Sequence, residues 1–138
     1  MKALLFGGRG GGSASSDAGL LILRAVTGLT LALAHGAGKV PPSAGFVEGV
    51  GKLGFPLPTL FAWSAGLSEL AGGLLLAIGL LTRPAAFFIA VTMAVALFLR
   101  HAADPFPVQE KALIYLAIAV ACVFTGSGRF GVDRLIRR

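Results

Sequence analysis

Charge is what this sequence has least of. Lys, Arg, Asp and Glu together make up 13% of its 138 residues, about half of the roughly 25% with which a soluble domain covers its surface. Cysteine is nearly absent. A single residue, Cys122, excludes an internal disulfide and any CxxC thiol pair. Acidic residues are few, six against twelve Lys and Arg, for a net charge of +6. No basic stripe interleaves with aromatics, so nucleic acid is not an expected partner. The glycine run Gly10–Gly12 has no preceding strand and no closing Lys-Ser or Lys-Thr, so it is not a phosphate loop.

What is present is apolar: 56% of residues and a mean hydropathy of +0.86. Such a surface has to face lipid. A bilayer core of about 30 Å is crossed by roughly 17–25 apolar residues as a helix. Four runs of about that length fit, over residues 18–35, 59–81, 84–99 and 108–125. Apolar residues fall on consecutive positions rather than alternating, so the runs are helices, which satisfy every backbone group internally. The expected fold is an all-α integral membrane four-helix bundle over 18–138, preceded by a flexible Gly/Ser-rich tail over 1–17. A cleaved signal peptide is the other reading of the start, and Arg24 inside its apolar stretch counts against it. Pro56 and Pro58 precede Thr59 as an N-cap, Arg83-Pro84 turns into segment three, and Gly126 stops segment four. Between segments one and two, Ser43, Phe46, Val50 and Leu53 fit a short helix lying on the membrane surface.

Lys/Arg counting sets the orientation. Seven basic residues (Lys2, Arg9, Arg83, Arg129, Arg134, Arg137, Arg138) fall on one side, and four (Lys39, Lys52, Arg100, Lys111) on the other. Both termini are therefore expected in the cytoplasm; in a bacterium the chain would span the inner membrane with its first loop facing the periplasm.

The ionisable residues inside the runs carry the chemical signal. A charge at a helix centre costs about 2.5–3.5 kcal/mol on insertion scales, and such groups usually turn inward and pair. Arg24, Gly28, Leu31 and His35 follow one face of segment one. Glu69 lies mid-way along segment two, flanked on its face by Gly66 and Gly73, which let a neighbouring helix approach. An Arg24–Glu69 contact is expected. The intramembrane site is expected to comprise Arg24, His35, Glu69 and Tyr115. Lys39, His101, Glu110 and Lys111 are expected to gather at the outer mouth. Two histidines there do not have metal-ligand spacing, so no metal is expected; a polar pocket for an anion or a quinone headgroup and plain solvated charges are the other readings. Cys122 reads as a small buried apolar residue, and Phe61 and Trp63 as interfacial anchors.

The runs LLILRAVTGLTLALAHGAGK, FVEGVGKLGFPLP, AGLSELAGGLLLAIGLLTRPAA and TGSGRFGVDRLIRR together resemble the DoxX family of bacterial membrane proteins. The residues that carry the resemblance are Arg24, His35, Gly36, Lys39, Glu69, Gly72 and Gly73. It implies four membrane helices and a redox association, since relatives include a subunit of an archaeal thiosulfate:quinone oxidoreductase and mycobacterial partners of thiol-handling proteins. The thiol exchange of CxxC-bearing relatives does not carry over to a chain with one cysteine. The first expectation is a quinone- or thiol/sulfur-linked subunit of a membrane oxidoreductase; the sequence names no cofactor, and quinone is the candidate. The alternatives are a non-enzymatic anchor or assembly partner, and a small transporter or proton path using Glu69. Partners are the bilayer, other proteins of a membrane complex, and a second copy of the chain through the glycines of segment two.

Overall fold

The computed structural model describes residues 13–137, so most of the expected tail 1–17 lies outside the described residues. Among these residues all regular structure is helical. Helix α1 (Ala14–Leu31) continues through a π-type turn, Ala32–Gly36, and a 3-10 turn, Ala37–Lys39. A short α2 (Ala44–Lys52) follows, then α3 (Pro58–Ile78). Next comes α4 (Thr82–Val95), prolonged by a second π turn, Ala96–Arg100. The chain closes with α5 (Phe106–Thr125) and α6 (Asp133–Arg137). Four of these rods, Ala14–Lys39, Pro58–Ile78, Thr82–Arg100 and Phe106–Thr125, are long and apolar enough to cross a membrane.

Local chemistry sets the boundaries. The Ser13 hydroxyl accepts from Ser16 N and caps α1, so the helix starts ahead of the expected Ala18. Pro58, rather than Thr59, opens α3 from its N1 position, where its missing N–H costs nothing. Gly79, with φ +73°, ends that helix, earlier than Leu81, because the left-handed turn there suits glycine. Ser43 caps α2 by accepting from Phe46 N, and Val50 buries α2 against α3.

Consecutive rods pack side by side, α1 on α3, α3 on α4 and α4 on α5, while α1 and α5 meet only sparingly. Leu31, Leu76, Ile89, Met93, Ala119 and Cys122 form the packed centre. Cys122 is fully buried there. Large apolar side chains such as Phe124, Leu33 and Phe98 point outward; with lipid as solvent those faces need no cover.

The closest seam is α1 against α3. A Cβ added to Gly28 would collide with the Gly73 carbonyl oxygen and lie 2.7 Å from Ala77 N. Both obstacles are backbone, so the helices themselves would have to separate. The glycines of α3 are thus spent inside the bundle: Gly73 and Gly66 face α1 and its extension, and Gly72 faces Ile89. The surface expected to serve a homodimer is not open to a second copy. Gly28→Ala is expected to lower thermal stability in detergent by about 1–3 kcal/mol, the usual cost of overpacking. Gly19→Ala, with nothing within 4 Å, is the control and should gain slightly in helix stability.

Candidate functional site

A cavity of about 230 Å³ lies at the end of the bundle where α1 finishes and α5 begins. Its polar lining is His35 and Lys39 from α1 and its extension, Glu69 from α3, His101 from the loop after α4, and Lys111 and Tyr115 from α5. Leu31, Met93 and Ala112 form its apolar floor and wall. Four separate rods bring these side chains together.

Glu69 is 2% exposed, and both its oxygens receive Lys39 Nζ, at 2.8 and 2.6 Å. The ammonium also sits 5.6 Å from the centre of the Phe46 ring, so α2 helps to hold the lysine in place. Lys39 can reach Glu69 because its own backbone lies beside Gly66, one turn along α3. The His35 and Tyr115 rings meet edge to face, 5.8 Å between centres. His101 Nδ1 lies 2.6 Å from Asp104 Oδ2, while Gln109 donates to the carbonyls of His101 and Asp104 at 2.9 Å each. Asp104 holds the Nδ1 edge of the imidazole while Gln109 ties the loop backbone, and the ring stays at the cavity wall. Glu110 is exposed and does not line the cavity.

The expected Arg24–Glu69 contact is not formed. Arg24 is fully buried at the far end of the bundle. Its guanidinium donates to the carbonyls of Leu76 and Ala77 at the end of α3 and to Phe130 O, the last at 2.9 Å. Ala77 is eight residues beyond Glu69, about 12 Å at 1.5 Å per residue, further than an arginine can bridge. The cation is instead held by the negative end of the α3 dipole. Around it the chain ties itself shut. Asp133 accepts from Leu81 N at 2.7 Å and Thr82 N at 3.0 Å, and Asp17 accepts from Arg129 N at 3.0 Å. This end is a structural clasp, and the packed layer of Leu31, Leu76 and Ile89 separates it from the cavity.

Several features escape the sequence reading. Asp17, Asp104 and Asp133 carry no motif, and only the spacing of Asp104 three positions after His101 hints at a pair. The π turns under His35 and before His101 leave no mark in residue type, yet such turns recur at functional sites because they re-aim side chains.

The architecture and site define a four-span helical membrane protein with a polar pocket at one end. The chain belongs to the DoxX family, whose profile matches residues 19–102. It is 31% identical over 131 residues to the inner membrane protein YqjF of Escherichia coli, covering 88% of this chain and 95% of that one. It is 29% identical to a Bacillus subtilis protein named "Putative oxidoreductase CatD", covering 88% and 90%. An uncharacterized protein of Haemophilus influenzae is 41% identical over 76 residues, 50% of this chain and 57% of the relative's length. No solved structure matches the chain.

Proposed function

We propose that this protein is the quinone-handling membrane subunit of a redox assembly. In this reading both termini are cytoplasmic and the pocket opens toward the periplasmic side of a bacterial inner membrane. One observation carries the proposal: Glu69, Lys39, His35, His101 and Tyr115 line one cavity inside an otherwise apolar bundle. A quinone takes up two electrons and two protons on reduction. The pocket supplies hydrogen-bond donors for the carbonyl oxygens and groups that exchange protons. The electrons come from a partner bearing thiol or sulfur chemistry, since one buried cysteine cannot cycle as a dithiol. The oxidoreductase name of the CatD relative and the Lys/Arg count of the two sides support the assignment and its orientation. The packed layer between pocket and clasp disfavours a continuous proton path.

The test is saturable binding of a short-chain ubiquinone or menaquinone analogue to the purified protein in nanodiscs. One molecule should bind per chain. Glu69→Gln should weaken binding about tenfold or more, the equivalent of about 1.4 kcal/mol, without loss of folded protein. Saturable binding that ignores both Glu69→Gln and Tyr115→Phe would remove the pocket from the function. Absence of saturable binding would favour an anchor or assembly role.

A further inference from the structure

The walls of the pocket differ in how tightly they are sealed. The α1–α3, α3–α4 and α4–α5 seams carry most of the packing of the bundle, whereas α1 and α5 touch sparingly. The π turn that carries His35 packs on α3 and hardly on α5. Nearer the clasp, Leu31, Ala119 and Cys122 close this seam within one buried cluster. Nearer the pocket, what bridges it is the edge-to-face contact of His35 with Tyr115, both rings only half buried. Directly behind those rings lies the cavity with Glu69 and Lys39. The outward surfaces of both rods are apolar, with Leu33 just past the end of α1 and Ile114 on α5 both exposed. Of the four spans, α5 is the least buried.

We infer that the pocket end of the α1–α5 seam is a side entrance from the bilayer, with His35 and Tyr115 as its gate. The ligand it admits is an amphiphile with a small head that accepts hydrogen bonds and a long apolar tail. The head reaches Glu69 and Lys39 while the tail stays in the lipid outside the His35–Tyr115 pair. The inference rests on the quinone reading and adds the route and the posture. A head of this kind never has to cross water, and the tail never has to leave hydrocarbon, so neither the transfer cost of the apolar chain nor an opening of the packed seams opposes entry. An edge-to-face ring pair is a weak contact, so separating it is a small barrier.

The full chain in nanodiscs of phosphatidylethanolamine and phosphatidylglycerol is photolabelled with a benzoquinone carrying a farnesyl tail. The tail bears a diazirine on its first isoprene unit, and adducts are mapped by peptide mass spectrometry. A tailless benzoquinone is titrated in parallel. Adducts are expected on the pocket halves of α1 and α5, lost when excess unlabelled tailed quinone is present. Adducts on the outward faces of α3 and α4, or adducts that survive competition, overturn the side entrance; if the tailless quinone still binds saturably, the pocket reading survives that failure. Absence of saturable binding by either compound removes both.

Discussion

Replacing Arg24 by methionine is expected to release the C-terminal segment and cost about 3 kcal/mol of stability. The substitution keeps much of the side-chain volume, so cavity formation is not the main term. What it removes is a fork of donors in a place with no water. Leu76 O keeps a second partner, Gly79 N at 3.2 Å, but the buried Ala77 carbonyl and the part-buried Phe130 carbonyl lose the donor they had. Each orphaned buried acceptor costs about 1–3 kcal/mol, and relief from desolvating the charge returns part of the sum. The Phe130 contact is one of several ties between the closing segment and the spans, beside Asp133 on the start of α4, Asp17 on Arg129 N, and the backbone bonds from Val132 N to Ile78 O and from Asp133 N to Gly79 O. Without it, Arg129 and Arg134 should become trypsin sites in the folded protein. Arg24→Lys should lie between the two, since an ammonium keeps the charge but not the fork. Quinone affinity should change little, because the packed centre stands between clasp and pocket. A variant as stable as the parent and equally resistant to trypsin would mean that Arg24 does not hold this end together.

Arg24 also marks the limit of what the sequence makes legible. Hydropathy alone carries the four spans, because a run of consecutive apolar residues has one stable form in lipid. The pocket is largely readable too, since ionisable residues within apolar runs are rare and turn inward: six of the eight expected site residues line it. Pairing is another matter. Which cation serves Glu69 depends on relative depth, and depth depends on where each rod begins. The start of α1 at Ala14 and its extension through two irregular turns to Lys39 place Arg24 level with Ala77 and bring Lys39 level with Gly66. Neither Ser13 as a cap nor the π turns stand out in a hydropathy pattern, so the pattern alone points to the wrong partner. Asp133 and Asp17 were invisible for a different reason. Their partners are backbone N–H groups more than fifty and a hundred positions away, and no local pattern encodes such a bond.

The Lys39–Glu69 pair gives an asymmetric expectation that separates its structural role from its functional one. Glu69 is buried, whereas the Lys39 side chain is 33% exposed. Lys39→Met therefore leaves a carboxylate without its cation in a place poor in water. The loss is expected at about 3 kcal/mol, the low end for breaking a buried pair because the open cavity tempers it. Glu69→Gln leaves a lysine that can turn to water, and should cost less than about 1 kcal/mol, as for a half-exposed ion pair. The double variant should recover most of the Lys39→Met loss, because no unpaired buried charge remains. Thermal unfolding of the four proteins in one detergent gives the cycle, and the coupling between the two sites should be at least about 1 kcal/mol. Binding reads out the other half. If the pair serves only to fix the rods, the stable double variant should still bind quinone; if the pocket works as proposed, it should fold and fail to bind. Equal losses for the two single variants would show that Glu69 is not the buried member of the pair, and the pocket would have to be rebuilt around Lys39.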